Sequence, residues 1–183
     1  MFTYQIDDEV SLAIPRPKTD AIPLFSLVEE SRSDLAPWLS WVAGMQNVAD
    51  EENFLRTVLE NFGKGISVNL IIRYQKQVAG MISFNRFLQM DHSTEIGYWL
   101  GNKFKNRNIM HRAVIAMCKL GFLEYDVHKI EIHAAIDNVA SNHVAQKAGF
   151  HLDGMVRASE LLADGFHDAN IWTLLKEEWQ TDH

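Results

Sequence analysis

The fold is decided by residues 95–112, which read EIGYWLGNKFKNRNIMHR. The segment up to Leu100 is rich in aromatic and aliphatic side chains, as in a strand, and apolar residues recur at helical spacing from Ile109 onward. A short polar, basic loop joins the two. The sequence therefore predicts a helix N-terminus directly after a strand, where unpaired N–H groups and the helix dipole favour a phosphate group.

This loop contains no glycine between Asn102 and Asn108. Its Asn106 and Asn108 belong to the non-glycine type that most readily adopts a positive φ, so the chain can still turn sharply there. Taken alone, the loop is more typical of a plain strand–helix connection with an asparagine cap.

The charge distribution adds a second signal. The chain carries a formal net charge of −7, which argues against a nucleic-acid binder because phosphate neutralisation needs clustered cations. No acidic residue occurs between Glu95 and Glu124, where the cations are Lys103, Lys105, Arg107, Arg112 and Lys119. A solvated helix face normally mixes both signs, so this segment favours an anionic ligand.

On the N-terminal side, residues 78–87 and 66–73 are β-rich and predict an antiparallel meander with residues 95–100. Before them we expect a strand at 12–14, a helix from the cap candidates Thr19 and Asp20 to about residue 31, an aromatic helical turn at 35–42, and a helix from Asp50 ended by Gly63 and Gly65.

On the C-terminal side, the pattern predicts a helix at 108–125, a strand at 129–136, a helix at 139–147 closed by Gly149, and a hairpin of strands 151–162 and 170–175. A strand–helix–strand order needs a crossover, and so a parallel pair at the sheet centre. Nothing resembles a linker, so residues 1–183 are expected to form a single domain.

Composition excludes several classes. The start of the chain has no secretory pattern, and the apolar helix candidate is interrupted by Arg112 and Lys119, so no membrane span is expected. The single Cys118 cannot form an internal disulfide and is expected to be a core thiol. Eight histidines show no convincing metal-ligand spacing, and no metal is expected. A cytoplasmic location follows as the default.

The segment 95–112 resembles the acetyl-CoA-binding motif of the Gcn5-related N-acetyltransferases (GNAT), whose loop reads Gln/Arg-x-x-Gly-x-Gly/Ala. Aligned on Ile109, the motif positions fall on Lys105, Asn108 and Met110, which all depart from the strict pattern. Residues 80–85 (GMISFN) with 95–100, then 128–150 and 158–179, look like successive elements of the RimJ/RimL branch, which acetylates the N-termini of ribosomal proteins.

The resemblance covers nearly the whole chain and implies an α/β (α+β) GNAT fold. We expect a mixed central β-sheet of about seven strands flanked by helices, with splayed central strands. It also implies an acetyl-CoA-dependent N-acetyltransferase whose acceptor is a peptide α-amine. An antibiotic, polyamine or other small amine is the alternative acceptor, and a catalytically silent CoA-binding module is the alternative of another class. No nucleic-acid or membrane partner is expected, and a homodimer is compatible with the family.

By the same resemblance, the pyrophosphate is held by backbone N–H groups of Lys105, Asn106, Arg107, Asn108, Ile109 and Met110. Lys103, Lys105, Arg107 or Arg112 are its expected side-chain partners. The pantetheine arm pairs with the strand edge Tyr98, Trp99 and Leu100, where a bulge turns an N–H of Trp99 or Leu100 toward the oxyanion. For the side chains of Tyr98 and Trp99, ordinary strand packing is the preferred interpretation.

Asn138 is expected to bond the cofactor arm and Ser141 to supply the proton for the departing thiolate, since the helix at 139–147 has no tyrosine. Either residue could instead cap that helix. Glu160 is the candidate base for the attacking amine, with a solvated strand glutamate as the equal alternative. Acceptor specificity is expected in residues 30–64 and the hairpin, where Trp38 and Trp41 line the acceptor site or pack in the core.

Overall fold

The computed structural model describes residues 2–182 and side chains as far as Trp179, so Met1 and His183 lie outside the described residues. Eight strands form one mixed sheet in the order β1-β2-β3-β4-β5-β6-β8-β7. The strands are β1 Thr3–Gln5, β2 Val10–Ala13, β3 Val68–Tyr74, β4 Gln77–Leu88, β5 Ser93–Leu100, β6 Lys129–Ala135, β7 His151–Leu162 and β8 Gly165–Leu175. The sequence predicts about seven; the additional strand is the short edge strand β1, which has no apolar pattern of its own.

Among the described residues, five α-helices accompany the sheet: α1 Pro17–Leu35, α2 Val48–Gly63, α3 Ile109–Leu123, α4 Val139–Lys147 and α5 Lys176–Asp182. The predicted caps of α1 are wrong. The helix is preceded by Arg16 and begins at Pro17, whose fixed φ suits the first helical turn, while Asp20 is buried against the guanidinium groups of Arg16 and Arg73.

The other helix boundaries differ for similar local reasons. Helix α2 begins before Asp50 because Asn47 and Asp50 form a reciprocal capping box. The predicted aromatic turn at 35–42 is replaced by the end of α1 and a short 3₁₀ turn at Ser40–Gly44. Gly149 has a φ of 83°, which confirms the predicted left-handed position after α4.

Helices cover both faces of the sheet, as two neighbouring residues of β5 show. Trp99 packs against Trp41 of the 3₁₀ turn between α1 and α2, whereas Tyr98 reaches α4. Successive strand residues point to opposite faces, so the α1–α2 pair and α4 lie on opposite sides. Helix α3 is buried along most of its length, and Cys118 in it is 0% exposed, which confirms the predicted core thiol.

The centre of the sheet opens between β5 and β6. This is the parallel pair, and it is joined only at Ser93–Lys129, Thr94–Ile130 and Glu95–Glu131, after which each strand continues without the other. The predicted splay is confirmed. The bulge expected at residues 98–100 is not there: the pairing of β4 with β5 is regular from Gly80–Leu100 to Phe84–Ile96, and it shifts between Phe84 and Phe87.

Candidate functional site

The edge of β5 that faces the opening carries free backbone donors. The Gly101 N–H donates to the Ala79 carbonyl of β4 at 2.9 Å, and N–H groups alternate along a strand. Trp99 therefore points its N–H at β4, while Tyr98 and Leu100 point theirs into the opening. Of the two predicted oxyanion donors, only the Leu100 N–H faces the opening, because the Trp99 N–H points at β4.

The backbone at Leu100 is held in place by Gly80, its pairing partner in β4. Gly80 pairs with Leu100, and a Cβ at Gly80 would collide with the Trp99 carbonyl oxygen. The close approach of the two strands thus needs glycine. The Trp99 side chain is 9% exposed, as ordinary strand packing predicts. Its ring centroid lies 5.9 Å from that of Trp41, which covers it from the surface and is itself 39% exposed.

The loop between β5 and α3 turns through two left-handed asparagines. Asn106 has a φ of 60° and Asn108 a φ of 56°, as expected for a glycine-free turn. In the part of the chain that the structure describes, the backbone N–H groups from Asn106 to His111 have no hydrogen-bond acceptor. Lys105 leaves the predicted set, because its N–H donates to the Asn102 carbonyl. The Ile109 and Met110 side chains are buried, so only their backbone faces the loop.

Most of the predicted phosphate partners are already paired with carboxylates. Lys103 Nζ lies 2.9 Å from Glu30 and Lys105 Nζ lies 3.1 Å from Asp34, both of α1. Arg112 contacts carboxylates of the β1–β2 segment and donates to carbonyl groups of the loop itself. Arg107 differs: among the described residues its guanidinium faces the Tyr74 ring, at 5.7 Å, and has no carboxylate partner.

A cation that the sequence analysis missed also reaches this loop. Lys147, in the last turn of α4, donates from Nζ to Asn108 Oδ1 at 2.7 Å. Burial lowers the pKa of His111 in the first turn of α3, and the nearby Lys147 charge lowers it further. The amides and the cation thus converge from two helices, which sequence spacing alone does not reveal.

Tyr98 and Ser141 meet at the start of α4. The Tyr98 hydroxyl lies 3.0 Å from Ser141 Oγ and 3.1 Å from the Ser141 carbonyl oxygen. Burial raises the pKa of Tyr98 to about 12. Asn138 is the cap of α4, and its Oδ1 accepts the Ser141 N–H at 3.2 Å.

The orientation of α4 depends on Asn142, which the sequence analysis did not single out. Its Nδ2 donates to the carbonyl groups of Ala135 and Asn138, both at 2.9 Å. Its Oδ1 accepts from Asn170 at 2.8 Å and Trp172 at 2.9 Å, both on β8. One amide side chain therefore fixes the beginning of α4 against the end of β6 and the middle of β8.

Glu160 belongs to the edge strand β7, and the charges that act on it are Glu95 of β5 and His133 of β6, the two strands that border the opening. A bulge precedes Glu160, in which Ala158 has a φ of 50° and donates its N–H to Asp168 at 2.9 Å. Burial raises the pKa of Glu160, the Glu95 carboxylate raises it further, and His133 opposes both. A carboxyl group with a raised pKa is better suited to accept a proton near neutral pH.

A cleft of about 430 Å³ lies between the end of α1 and the tip of the β7–β8 hairpin. Its lining is Ser33, Ala36, Pro37, Trp38, Asp137, Leu162, Ala163, Asp164 and His167. Of the two tryptophans proposed for the acceptor, Trp38 lines this cleft, while Trp41 packs on Trp99. The cleft thus draws on both segments in which acceptor specificity is expected.

Comparison with known proteins explains this arrangement. A family model described as an acetyltransferase (GNAT) domain matches residues 12–151. The chain belongs to the GNAT acetyltransferase family. In this family the enzyme class is acetyl transfer, and the mixed sheet of eight strands with its central opening is the GNAT fold.

Individual relatives of this GNAT chain are also identified. The ribosomal-protein-serine acetyltransferase of Escherichia coli (strain K12) is 30% identical over 153 residues, which cover 82% of this chain and 84% of the relative. YdaF, a candidate ribosomal N-acetyltransferase of Bacillus subtilis (strain 168), is 27% identical over 98% of both chains.

Solved structures resemble this GNAT fold closely. The microcin C7 self-immunity acetyltransferase MccE, solved with acetyl-CoA and AMP, has a TM-score of 0.88 and 27% identity over 93% of this chain and 94% of that one. RimL, a ribosomal L7/L12 α-N-protein acetyltransferase solved with coenzyme A, has a TM-score of 0.91 and 23% identity over 97% and 99% of the two chains.

Two further properties concern the described residues only. No group of three or more His, Cys, Asp or Glu side chains among them could hold a metal ion. None of the helices that they form is long and apolar enough to cross a membrane.

Proposed function

We propose that this chain, as a single acetyltransferase domain, transfers the acetyl group of acetyl-CoA to the N-terminal α-amine of a ribosomal protein in the cytoplasm. The observation that carries this proposal is the separation of β5 from β6 after Glu95, with free loop amides beside one end of the opening and Ser141 at the start of α4.

The residues around the opening fit acetyl-CoA. The N–H groups from Asn106 to Met110 suit a pyrophosphate, with Arg107 and Lys147 as the nearby cations. The β5 edge at residues 98–100 is free to pair with an amide-containing arm. Asn138 adds a side-chain amide, although its Oδ1 already caps α4.

Bound acetyl-CoA supplies a thioester-activated acetyl group, and the protein supplies three groups around it. The Leu100 N–H donates to the acetyl oxygen as negative charge develops there. Ser141 Oγ–H donates to the departing sulfur. Glu160 accepts the proton of the attacking amine, and its raised pKa suits a base that works near neutral pH.

The acceptor follows from the relatives and from the cleft. The Escherichia coli relative is named for a ribosomal-protein serine, so a peptide that begins with serine is the first acceptor to test. A peptide α-amine titrates near pH 8, and it needs only a modest base. The cleft beside the hairpin can receive the residues that follow the amine.

A small amine is the second candidate acceptor. Similarity to the microcin C7 self-immunity acetyltransferase, solved with acetyl-CoA and AMP, favours it, because that protein has the same 27% identity to this chain as YdaF. A nucleotide-linked amine would be the corresponding probe.

The test mixes the enzyme with acetyl-CoA and a panel of peptides and small amines, and it measures thiol release and the acetylated product. We expect turnover on peptides with N-terminal serine or alanine, and a loss of at least about 100-fold in kcat for Glu160→Gln and for Ser141→Ala. Glu124→Gln, an exposed site at the end of α3, is the matched control and retains full activity.

The outcomes separate the candidates. Turnover on small amines alone selects the second function. Binding of CoA by calorimetry without thiol release on any acceptor indicates a silent CoA-binding module. Wild-type turnover in Glu160→Gln or Ser141→Ala removes that residue from the mechanism.

A further inference from the structure

The Tyr98–Ser141 contact crosses the opening between the two diverging strands. Tyr98 belongs to β5 beyond its last pair with β6, and Ser141 belongs to the first turn of α4, which follows the end of β6. The phenol oxygen is within hydrogen-bond distance of two Ser141 oxygens, at 3.0 and 3.1 Å. A side chain from one strand therefore fixes a hydroxyl on the far side.

Ser141 is held at three of its atoms. Its N–H donates to Asn138 Oδ1 at 3.2 Å, and its carbonyl oxygen and Oγ both face the Tyr98 hydroxyl. The hydroxyl of a serine in a helix can bond to the carbonyl group four residues earlier. Here Oγ has Tyr98 as its partner instead, so the remaining freedom is the direction of the Ser141 hydroxyl proton.

Proton counting then leaves two arrangements, because Tyr98 has one hydroxyl proton for two acceptors. If it donates to the Ser141 carbonyl, Ser141 donates back to the phenol oxygen, and its proton is then engaged by Tyr98. If it donates to Ser141 Oγ, the serine proton is free to point into the opening. The second arrangement makes Ser141 an outward donor while its own oxygen stays hydrogen-bonded.

We propose that Tyr98 is a positioning residue that holds Ser141 in the outward-donating arrangement during acetyl transfer. This inference rests on the proposed function, in which Ser141 donates to the departing sulfur. Tyr98 keeps its own proton and forms or breaks no covalent bond.

The surroundings of the phenol support this role. Burial raises the pKa of Tyr98 to about 12, so its hydroxyl remains a donor across the neutral and mildly alkaline range. The ring is half-buried against the core, which restricts the phenol to the α4 side of β5. Because α4 has no tyrosine, this hydroxyl comes from a different element of the fold.

Tyr98→Phe tests the proposal, since it keeps the ring and removes only the hydroxyl. We expect kcat to fall about tenfold, the scale of one hydrogen bond that matters in the transition state, while KM for acetyl-CoA stays within about twofold. Tyr125→Phe, which removes a tyrosine hydroxyl at the far end of α3, is the control and leaves both constants unchanged.

A double-mutant cycle distinguishes this positioning role from a general structural role, because it measures whether the effect of Tyr98→Phe on kcat depends on Ser141. In a Ser141→Ala background, Tyr98→Phe should cause no further loss of kcat, because the residue that it positions is gone. CoA binding by calorimetry and the melting temperature check that each variant is folded.

Three results would overturn the role of Tyr98: an unchanged kcat in Tyr98→Phe, an equal tenfold loss in the Ser141→Ala background, or a loss that appears only in CoA affinity. Absence of thiol release by the wild-type enzyme on every acceptor is a different failure. It would overturn the proposed function, and this inference with it.

Discussion

Lys147 Nζ donates a hydrogen bond to Asn108 Oδ1 at 2.7 Å, and so joins the last turn of α4 to the residue that precedes α3. Asn108 is itself left-handed, with a φ of 56°. The contact places a positive charge beside the open N–H groups of the loop, where helix α3 also presents the positive end of its dipole. We therefore expect Lys147 to increase the affinity of the site for phosphate groups.

Lys147→Met should weaken the binding of CoA about tenfold, because it removes a charge-assisted partner of the phosphates but keeps the aliphatic stem. Isothermal calorimetry at low and high salt measures the effect, which should shrink at high salt. Lys119→Met, at an exposed position of α3, is the control for net charge. Equal losses in both variants would argue against a local role for Lys147.

Asn108→Gly should leave CoA affinity equal or better. Glycine adopts a positive φ without the penalty of a side chain, and the change frees the Lys147 ammonium for a phosphate group. Asn108→Ala is the contrasting variant, since a left-handed alanine costs about 1 kcal/mol. A large loss of affinity in Asn108→Gly would mean that the asparagine side chain itself contacts the ligand.

The acidic limb of the pH profile should depend on Glu95. Burial and the Glu95 carboxylate both raise the pKa of Glu160, so a base at Glu160 becomes active above the ordinary glutamate range. Glu95→Gln removes one of these causes while it keeps an acceptor for Asn85, which lies 2.9 Å away. The pKa of Glu160 then falls, and the acidic limb of kcat/KM should move to lower pH.

This shift is measured by comparison with the wild-type enzyme on one peptide, whose own amine titration is the same in both. Glu124→Gln should leave the limb in place. If the limb of Glu95→Gln coincides with that of the wild-type enzyme, Glu160 is not the group that titrates.

Glu51 should reduce stability at neutral pH. It lies 2% exposed in α2, and burial raises its pKa from 4.5 to about 7. The folded state therefore binds the Glu51 carboxyl proton more tightly than the unfolded chain does. The loss of folding stability caused by ionising Glu51 is absent below pH 4.5, grows up to pH 7 and is constant above it. Glu51→Gln should raise the free energy of unfolding at pH 8 by at most about 3 kcal/mol, since each unit of pKa difference corresponds to about 1.4 kcal/mol.

Denaturant unfolding at pH 8 and pH 4.5 checks this expectation, and the gain should vanish at the lower pH. Glu60→Gln, at an exposed position of the same helix, should show little dependence on pH. A gain from Glu51→Gln that is equal at both pH values would point to better packing instead of a titrating carboxyl group.

Much of the fold was accessible from local patterns. Strand-rich segments, the α3 periodicity and Gly149 after α4 are local signals, and the crossover rule supplied the parallel pair. The start of α1 was predicted wrongly because the cap candidate Asp20 has a partner distant in sequence, Arg73 of β3. The short strand β1 was not predicted, because it is defined by its pairing with β2 and not by its own residues.

The candidate site divides in the same way. The two asparagines of the loop have an intrinsic tolerance for positive φ, so the sequence could predict their backbone. The cations of the loop appear unopposed in sequence, yet Lys103 and Lys105 face carboxylates of α1 in the fold. Charge pairing depends on which elements become neighbours, and a linear charge pattern cannot report it.

By itself, the sequence determined the order of most elements and the glycine-free turn before α3, because these follow from residue type and spacing within one segment. Its resemblance to the GNAT family added Ser141 and Glu160 as candidates. Only the tertiary structure decided that Tyr98 would contact Ser141, that Lys147 would reach Asn108, and that Leu100 would present the free N–H. The first and the last depend on the separation of β5 from β6, and the second depends on the packing of α4 beside α3. None of these is a property of a single segment.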